Sequence, residues 1–491
     1  MLFNSYPFIF LFLPIVIAGF YLLGKLSGKT AATAWLTFTS LCFYAYWHPP
    51  FILLLLLHIT GNYGISRLMH GKSDKQRGII CTIGVVANLL VLGYYKYTLF
   101  LLEIISPLTG KLDSLPNIVL PIGLSFHTFQ QIAYLRDTRK DPSKADYPFL
   151  DFAFLVSFFP QLVAGPIVHH NELLPQLKNR FTVWRLRRFA PGAALFLMGL
   201  CKKAVFADRV APISNLLFDG VAGGATPGLA DAWIGVLAYC LQLYFDFSGY
   251  SDMACGLALM FNFRLPCNFN SPYKSLSLVD FWRRWHMTLS RFLRDYVYIP
   301  MGGSRGGTAK TACTLMGTML IGGLWHGAAW TFVVWGGLHG LGLGVNHSWK
   351  ASRKKRGLGG MPAPLGWLLT FLWVMISWVF FRSTSFSSAW TILGSLIGLN
   401  ESSGDMWETI KHNQFGLMVV LGVIVLFAPN SQQWLRRYRP LLDFSPPRFA
   451  APGKFHPGWI EKPAGAFCLA VFLIVILLNM PRVSEFIYFQ F

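Results

Sequence analysis

Long apolar segments are the feature that most limits how this chain can fold. The stretches PFIFLFLPIVIAGFYLL (7–23) and FILLLLLHITGNYGI (51–65) have the length and composition of helices that cross most of a bilayer. Similar segments recur along a chain of 491 residues that is 54% hydrophobic and 13% charged. At about 20 residues per crossing, we predict an all-α polytopic membrane protein with roughly 10–12 membrane helices. The apolar runs are continuous and not alternating, which excludes a transmembrane β-barrel.

The middle of the chain contains apolar segments that are short or interrupted by proline and glycine. Fifteen helical residues span roughly 22 Å, which is less than the ~30 Å thickness of the hydrocarbon core. Interrupted backbone at membrane depth is tolerated only where protein surrounds it or where it lines a water-filled cavity. We therefore predict re-entrant helices in this region. The segments concerned are 149–168, 311–325 and 328–346.

A single membrane domain, 1–491, is the predicted organisation, because no linker, low-complexity tract or internal repeat divides the sequence. Its three parts differ in character: regular spans at 1–146, broken or re-entrant helices at 147–350, and ordinary spans again at 351–491. The regular spans are expected near 7–24, 31–46, 51–66, 79–102, 117–135, 365–381, 416–434 and 464–480.

Basic residues are concentrated in alternate loops between the apolar segments. KLSGK (25–29), RLMHGKSDKQR (67–77) and RDTRKDPSK (136–144) are rich in Lys and Arg, whereas WHPP (47–50) has neither. By the positive-inside rule, this alternation places the N-terminus outside the cytoplasm. The positive-inside rule and contact with anionic lipid headgroups explain the net charge of +21, so we predict no nucleic-acid partner.

The eight cysteines are scattered without a CxxC pair, and we predict neither disulfides nor a metal site.

Six ionisable side chains lie within the aromatic stretch FWRRWHMTLSRFLRDYVYIP (281–300). Ser277 and Asp280 match a helix-capping pattern before it and Pro300 would end it, so we predict one amphipathic helix. An interfacial helix with snorkelling arginines explains most of the Arg and Trp residues. His286 falls on the apolar side of that helix, where it is either a hydrogen-bonded core residue or a functional one.

A second histidine lies in LIGGLWHGAAWTFVVWGGLHG (320–340), with no charged residue between Lys310 and Lys350. If both lysines are cytoplasmic, the chain enters the membrane, turns and leaves, and His326 lies deep near the turn. Ionisable groups at that depth are costly and are functional candidates. Burial favours a neutral imidazole, which is able to take a proton from a hydroxyl. His339, thirteen residues further on, is interpreted as a packing residue or as a support behind the site.

Two acidic residues, Asp246 and Asp252, lie in DFSGYSDMA (246–254) at the end of an apolar run. We interpret them as members of a structural ion network. Their candidate cations are Arg283, Arg284 and Arg294. The glycine-rich MGGSRGG (301–307) lacks the Lys-Ser/Thr of a P-loop, and no Gly-x-Ser-x-Gly elbow is present. The sequence therefore offers no nucleotide cradle and no serine esterase.

RWHMTLS, followed forty residues later by LWHG, resembles the membrane-bound O-acyltransferase family. His326 matches the membrane-embedded histidine of that family, and His286 matches a second position that holds His or Asn. The resemblance covers nearly the whole chain and is greatest to bacterial alginate O-acetyltransferase-like proteins. His127 stands where that subgroup more often has Tyr. Further matching stretches are LPIGLSFHTFQ (120–130), FFPQLVAGPIV (158–168), QLYFDFSGYSDMA (242–254) and the terminal FIYFQF.

The resemblance implies an enzyme that passes an acetyl group through a central tunnel in the membrane. His326 would act as general base on the acceptor hydroxyl or would form a transient acyl-imidazole, and the sequence does not separate the two. His286 would bind or orient a substrate. Basic residues near the cytoplasmic side would attract the phosphates of the donor. The substrate-binding side chains expected on this basis are Trp285, Trp325, Arg283, Arg284, Arg294, Asp246 and Asp252.

The same resemblance implies acetyl-CoA, or another acyl thioester, as the donor substrate and no bound cofactor. The expected partners are the lipid bilayer, a periplasmic acetyltransferase or acyl-acceptor protein, and polysaccharide export machinery. The expected location is a bacterial inner membrane with a periplasmic N-terminus. Three alternatives remain: D-alanyl transfer to teichoic acid, transport of a glycan or lipid precursor through interrupted helices, and a noncatalytic scaffold.

Overall fold

A computed structural model describes residues 1–109, 118–179, 181–402, 412–443, 460–480 and 486–487. Every regular element in that part of the chain is helical, which confirms the predicted all-α class. Within the described ranges, five helices are long and apolar enough to cross a membrane. The total of 10–12 membrane helices stays a prediction. The five helices are Phe8–Leu26, Phe51–Leu68, Asp74–Ser106, Leu186–Ala222 and Ala363–Arg382.

The chain divides into two compact units that alternate along the sequence. The first unit comprises Met1–Leu200, Tyr250–Cys267 and Ser431–Val475. The second comprises Cys201–Gly249, Asn268–Asn430 and Ile476–Phe491. The single membrane domain over 1–491 stays a prediction.

The first unit contains the regular N-terminal spans, close to where the sequence predicts them. The segment predicted at 149–168 is broken, as expected, at Phe158. The segment predicted from 117 begins as a helix only at Leu124, because Gly123 adopts a left-handed φ of 74° and starts the helix there. The helices of this unit include Leu13–Leu26, Gly28–Ala45, Phe51–Leu68, Asp74–Thr109, Leu124–Lys140, Phe149–Ser157, Phe159–Leu162 and Leu186–Cys201.

The second unit contains a hairpin of two helices, Gly307–His326 and Trp330–Lys355, called the hairpin below. The chain turns directly after His326, as predicted. The predicted short lengths are wrong: the two helices have 20 and 26 residues, about 30 and 39 Å. The glycines of these segments had suggested interruption, but here they let two unbroken helices approach closely. The other helices of this unit include Asp208–Ala222, Leu278–Trp282, Met287–Leu293, Ala363–Arg382, Phe386–Leu396 and His412–Phe427.

Two glycines bring the backbones of the hairpin into contact. A Cβ atom added at Gly323 would lie 2.3 Å from the carbonyl oxygen of Phe332, and one at Gly336 would lie 2.4 Å from that of Met319. Neither carbonyl moves without displacing its helix. The close packing of the hairpin therefore requires glycine at both positions.

We expect Gly323→Ala to destabilise the protein by about 1–3 kcal/mol, because overpacking against a backbone atom forces the helices apart. Thermal unfolding of the detergent-purified protein, followed by circular dichroism, measures this loss. Gly337→Ala is the matched control, since its Cβ would meet only Leu320 Cδ2 at 3.8 Å. In the control, the better helix propensity of alanine should leave stability unchanged or higher. Equal melting of the two variants would contradict the backbone-contact explanation.

Candidate active site

His326 is the last residue of the first hairpin helix. The next residue, Gly327, is extended at φ −160°, and this change of backbone direction ends the helix. The imidazole is buried, with 4% of the residue exposed. The last turn of the helix therefore positions the imidazole, and the chain changes direction at the next residue.

His286 lies at a break in the segment that the sequence predicts as one helix. Ser277 caps the first part as expected, since its hydroxyl oxygen accepts a hydrogen bond from the Asp280 amide at 3.2 Å. That part ends at Trp282, and a second helix begins only at Met287. Between them, His286 adopts the left-handed conformation at φ 42° and ψ 52°, which is uncommon for a residue with a Cβ. The prediction of a single helix over 281–300 is therefore wrong.

Backbone contacts with an earlier segment stabilise this break. The Met287 amide donates to the carbonyl of Asn268 at 2.9 Å, and the Asn270 amide donates to the carbonyl of Arg284 at 2.9 Å. These two bonds lie on either side of His286. They satisfy polar groups that a continuous helix would have paired internally. Helical periodicity carries no information about such long-range partners.

The structure brings the two predicted histidines together. Their ring centroids are 6.5 Å apart, and no part of His286 is exposed. Trp325 contacts both rings, with centroid distances of 4.9 Å to His326 and 6.1 Å to His286. We call His286 and His326 the histidine pair. The expectation that His286 lies on the buried side is confirmed.

Aromatic rings surround the histidine pair. Trp335 and Phe381 lie edge-on to His326, with ring centroids 4.9 and 5.2 Å away. Phe247 packs edge-on against His286 at 4.7 Å. An apolar enclosure of this kind strengthens the hydrogen bonds and charge interactions that form inside it. The arrangement suits proton transfer at an imidazole in the absence of bulk water.

The remaining aromatic candidates form the packing behind this enclosure. Trp285 is buried and its ring lies 5.0 Å from that of Trp378 and 5.6 Å from that of Phe281. His339 accepts a hydrogen bond at Nδ1 from the indole Nε1 of Trp282 at 3.2 Å, and it is fully buried. His339 also packs against Trp335, which contacts His326, so both interpretations of His339, as a packing residue or as a support of the site, stay open.

Asp246 does belong to a buried ion network, but the predicted cation is wrong. Lys203 Nζ lies 2.6 Å from Asp246 Oδ1 and 2.9 Å from Asp208 Oδ1. The second oxygen of Asp246 accepts the amide of Ile487 at 2.8 Å. Within the terminal FIYFQF, only Phe486 and Ile487 are among the described residues. Short-range sequence patterns do not reveal this pair, because Lys203 and Asp246 are far apart in the sequence and meet only in the folded chain.

The arginine candidates have local partners instead. Arg284 pairs with Asp280 at 2.9 Å, and Arg294 pairs with its neighbour Asp295 at 2.7 Å. Arg283 is exposed. None of the three is a partner of Asp246 among the described contacts.

Asp252, the other acidic candidate, belongs to the first unit, whereas the histidine pair belongs to the second. Its two carboxylate oxygens accept hydrogen bonds from Ser431 Oγ at 2.6 Å and Gln432 Nε2 at 2.7 Å. These are uncharged partners within its own unit. In the described part of the chain, no group of three His, Cys, Asp or Glu side chains is placed to hold a metal ion.

Comparison with known proteins identifies the class to which this fold and this histidine pair belong. A model of the membrane-bound O-acyltransferase family matches residues 124–390, more than half of the chain. The chain belongs to this family and is a multi-pass membrane O-acyltransferase. The resemblance drawn from the motifs around His286 and His326 is therefore confirmed.

Individual relatives differ in the acceptor that their names state. The "Peptidoglycan O-acetyltransferase" of Helicobacter pylori is 41% identical, over 82% of this chain and 80% of its own length. The "Probable alginate O-acetylase AlgI" of Pseudomonas aeruginosa is 37% identical and the match covers both chains completely. The "Teichoic acid D-alanyltransferase" of Streptococcus thermophilus is 27% identical, over 68% of this chain and 83% of its own length.

Proposed function

We propose that this enzyme transfers an acetyl group from a cytoplasmic thioester donor to a hydroxyl group on the other side of the membrane. The acyl group finally esterifies an exopolysaccharide or a cell-wall glycan. The observation that carries the proposal is the histidine pair, with ring centroids 6.5 Å apart inside an aromatic enclosure. Relatives named as O-acetyltransferases of peptidoglycan and of alginate support acetyl as the group and a glycan as the acceptor.

His326 acts as the general base in this proposal. Its imidazole takes the proton of the acceptor hydroxyl while the oxygen attacks the thioester carbonyl. The carbon–sulfur bond breaks as the carbon–oxygen bond forms, and the leaving thiolate receives the proton. The dry enclosure limits hydrolysis of the thioester by water. A transient acyl-imidazole on His326 remains the competing route, and it balances in the same way over two steps.

The donor that we propose is acetyl-CoA or another acyl thioester, which stays on the cytoplasmic side because it is large and charged. Arg283 is exposed, and it is a candidate for contact with the donor phosphates. The acceptor side would involve a periplasmic acetyltransferase or acyl-acceptor protein working with polysaccharide export machinery. A bacterial inner membrane with a periplasmic N-terminus is the location consistent with these two sides.

The proposal is tested by mass spectrometry of ester-linked acyl groups on surface and secreted glycans. We would compare the wild type, a deletion strain and the deletion strain complemented with the wild-type gene, all grown with ¹³C-acetate. Labelled acetyl esters should disappear on deletion and return on complementation, and the modified glycan would identify the acceptor. Acetyl esters that persist while glycan export falls would contradict acyl transfer and favour a transporter or scaffold.

A further inference from the structure

We propose that Asn268 is a positioning residue that fixes the conformation and the tautomer of His286. The effect of Asn268 on catalysis rests on the proposed function, but its effect on the His286 tautomer can be tested separately. Asn268 lies eighteen residues before His286 and is buried with it. Its side-chain oxygen lies 3.1 Å from His286 Nδ1, and its backbone carbonyl accepts the amide of the next residue, Met287.

Asn268 stabilises the backbone conformation at His286. His286 has a left-handed φ of 42°, which costs energy for a residue with a Cβ unless the surroundings stabilise it. The Asn268 carbonyl accepts the amide of Met287, the residue directly after the break. The Asn268 side-chain oxygen also accepts the amide of Thr288 at 3.3 Å and its hydroxyl at 2.9 Å. One asparagine therefore binds the first two residues of the new helix.

Asn268 also determines which nitrogen of the His286 imidazole carries the proton. The Thr288 amide is only a donor, so the Asn268 atom that it contacts must be the carbonyl oxygen and not the amide nitrogen. The same Oδ1 lies 3.1 Å from His286 Nδ1. An oxygen that only accepts requires a donor at that distance, so Nδ1 carries the hydrogen. In the neutral ring, Nε2 then carries the lone pair.

This tautomer limits what His286 is able to do in the reaction. Its Nε2 accepts a hydrogen bond from a donor group of a substrate, other than the hydroxyl whose proton His326 takes. A neutral His286 held in this way has no N–H at Nε2 to stabilise the negative charge that develops on the thioester oxygen. We therefore assign His286 to binding a hydrogen-bond donor of a substrate and not to stabilising the oxyanion.

The experiment combines kinetics with nitrogen-15 NMR of histidine-labelled protein. We expect Asn268→Ala to lower kcat by about 10–100-fold with little change in KM, the same range as for loss of the hydrogen-bond partners of metal-binding histidines. Asn268→Asp keeps an acceptor oxygen for all three donors and should recover most of kcat. In the wild type, the His286 signals, assigned by their loss in His286→Asn, should show a protonated Nδ1. In Asn268→Ala they should show a mixture of tautomers.

Asn88→Ala is the matched control for general damage. Asn88 is a buried asparagine of the first unit whose side chain donates to Asn62 Oδ1 at 2.6 Å and to the Gly84 carbonyl at 2.8 Å. It should lose stability without losing kcat per folded molecule. A wild-type His286 protonated at Nε2, or a wild-type kcat in Asn268→Ala, would overturn the inference. An inactive wild type would contradict the proposed function alone, because the NMR result still decides the tautomer.

Discussion

We expect His326→Gln to lower the rate of acyl transfer by at least about 100-fold. Glutamine occupies a similar volume and forms hydrogen bonds, but it cannot accept a proton, and a positioned general base typically contributes 10²–10⁴-fold. The ring is buried among Trp325, Trp335 and Phe381, which limits the access of bulk water that could take over this role. Initial rates with a radiolabelled acyl thioester in membrane vesicles, at equal enzyme abundance, measure the effect.

His127→Gln is the matched control for this prediction. His127 is also a buried membrane histidine, with its Nδ1 3.3 Å from Nδ1 of His58 in the first unit. The control should lose stability but retain its turnover per folded molecule. If His326→Gln retained the wild-type rate, the catalytic role of His326 would be wrong. Equal loss in both variants would point to general damage from replacing a buried histidine.

The second large effect concerns folding: Lys203→Met should reduce the free energy of unfolding by about 3–5 kcal/mol. The Lys203 side chain is 5% exposed and lies between two carboxylates that are 2% and 8% exposed. Without the ammonium group, Asp246 and Asp208 would repel each other in a site with little water. Thermal unfolding in detergent and the steady-state amount in membranes should both decrease.

Neutralising the two carboxylates should reverse most of that loss. In the triple variant Lys203→Met, Asp208→Asn, Asp246→Asn, no unpaired charge remains in the buried network, so stability should recover substantially. Arg294→Met provides the opposite control, because its pair with Asp295 is surface-exposed and should contribute less than about 1 kcal/mol. Failure of the triple variant to recover would refute unpaired charge as the cause.

Local sequence patterns determined the class of the fold, the helix start at Ser277 and the turn after His326. Continuous apolar runs specify membrane helices, because their backbone groups must pair within the segment in lipid. Ser277 specifies a helix start because its hydroxyl lies within reach of the next turn. The lack of charge around His326, followed by a glycine, predicted the turn that the structure shows. In each case the determining groups lie within a few residues of one another.

Tertiary contacts decided the geometry of the candidate site. The break at His286 depends on Asn268 and Asn270, and the partner of Asp246 is Lys203 and not a nearby arginine. The two hairpin helices are continuous, and Gly323 and Gly336 contact the backbone of the opposite helix instead of interrupting their own. Periodicity describes the faces of one helix, whereas these features depend on groups brought together by folding from distant parts of the chain. The sequence therefore indicated both histidines, and the tertiary structure alone decided their separation and orientation.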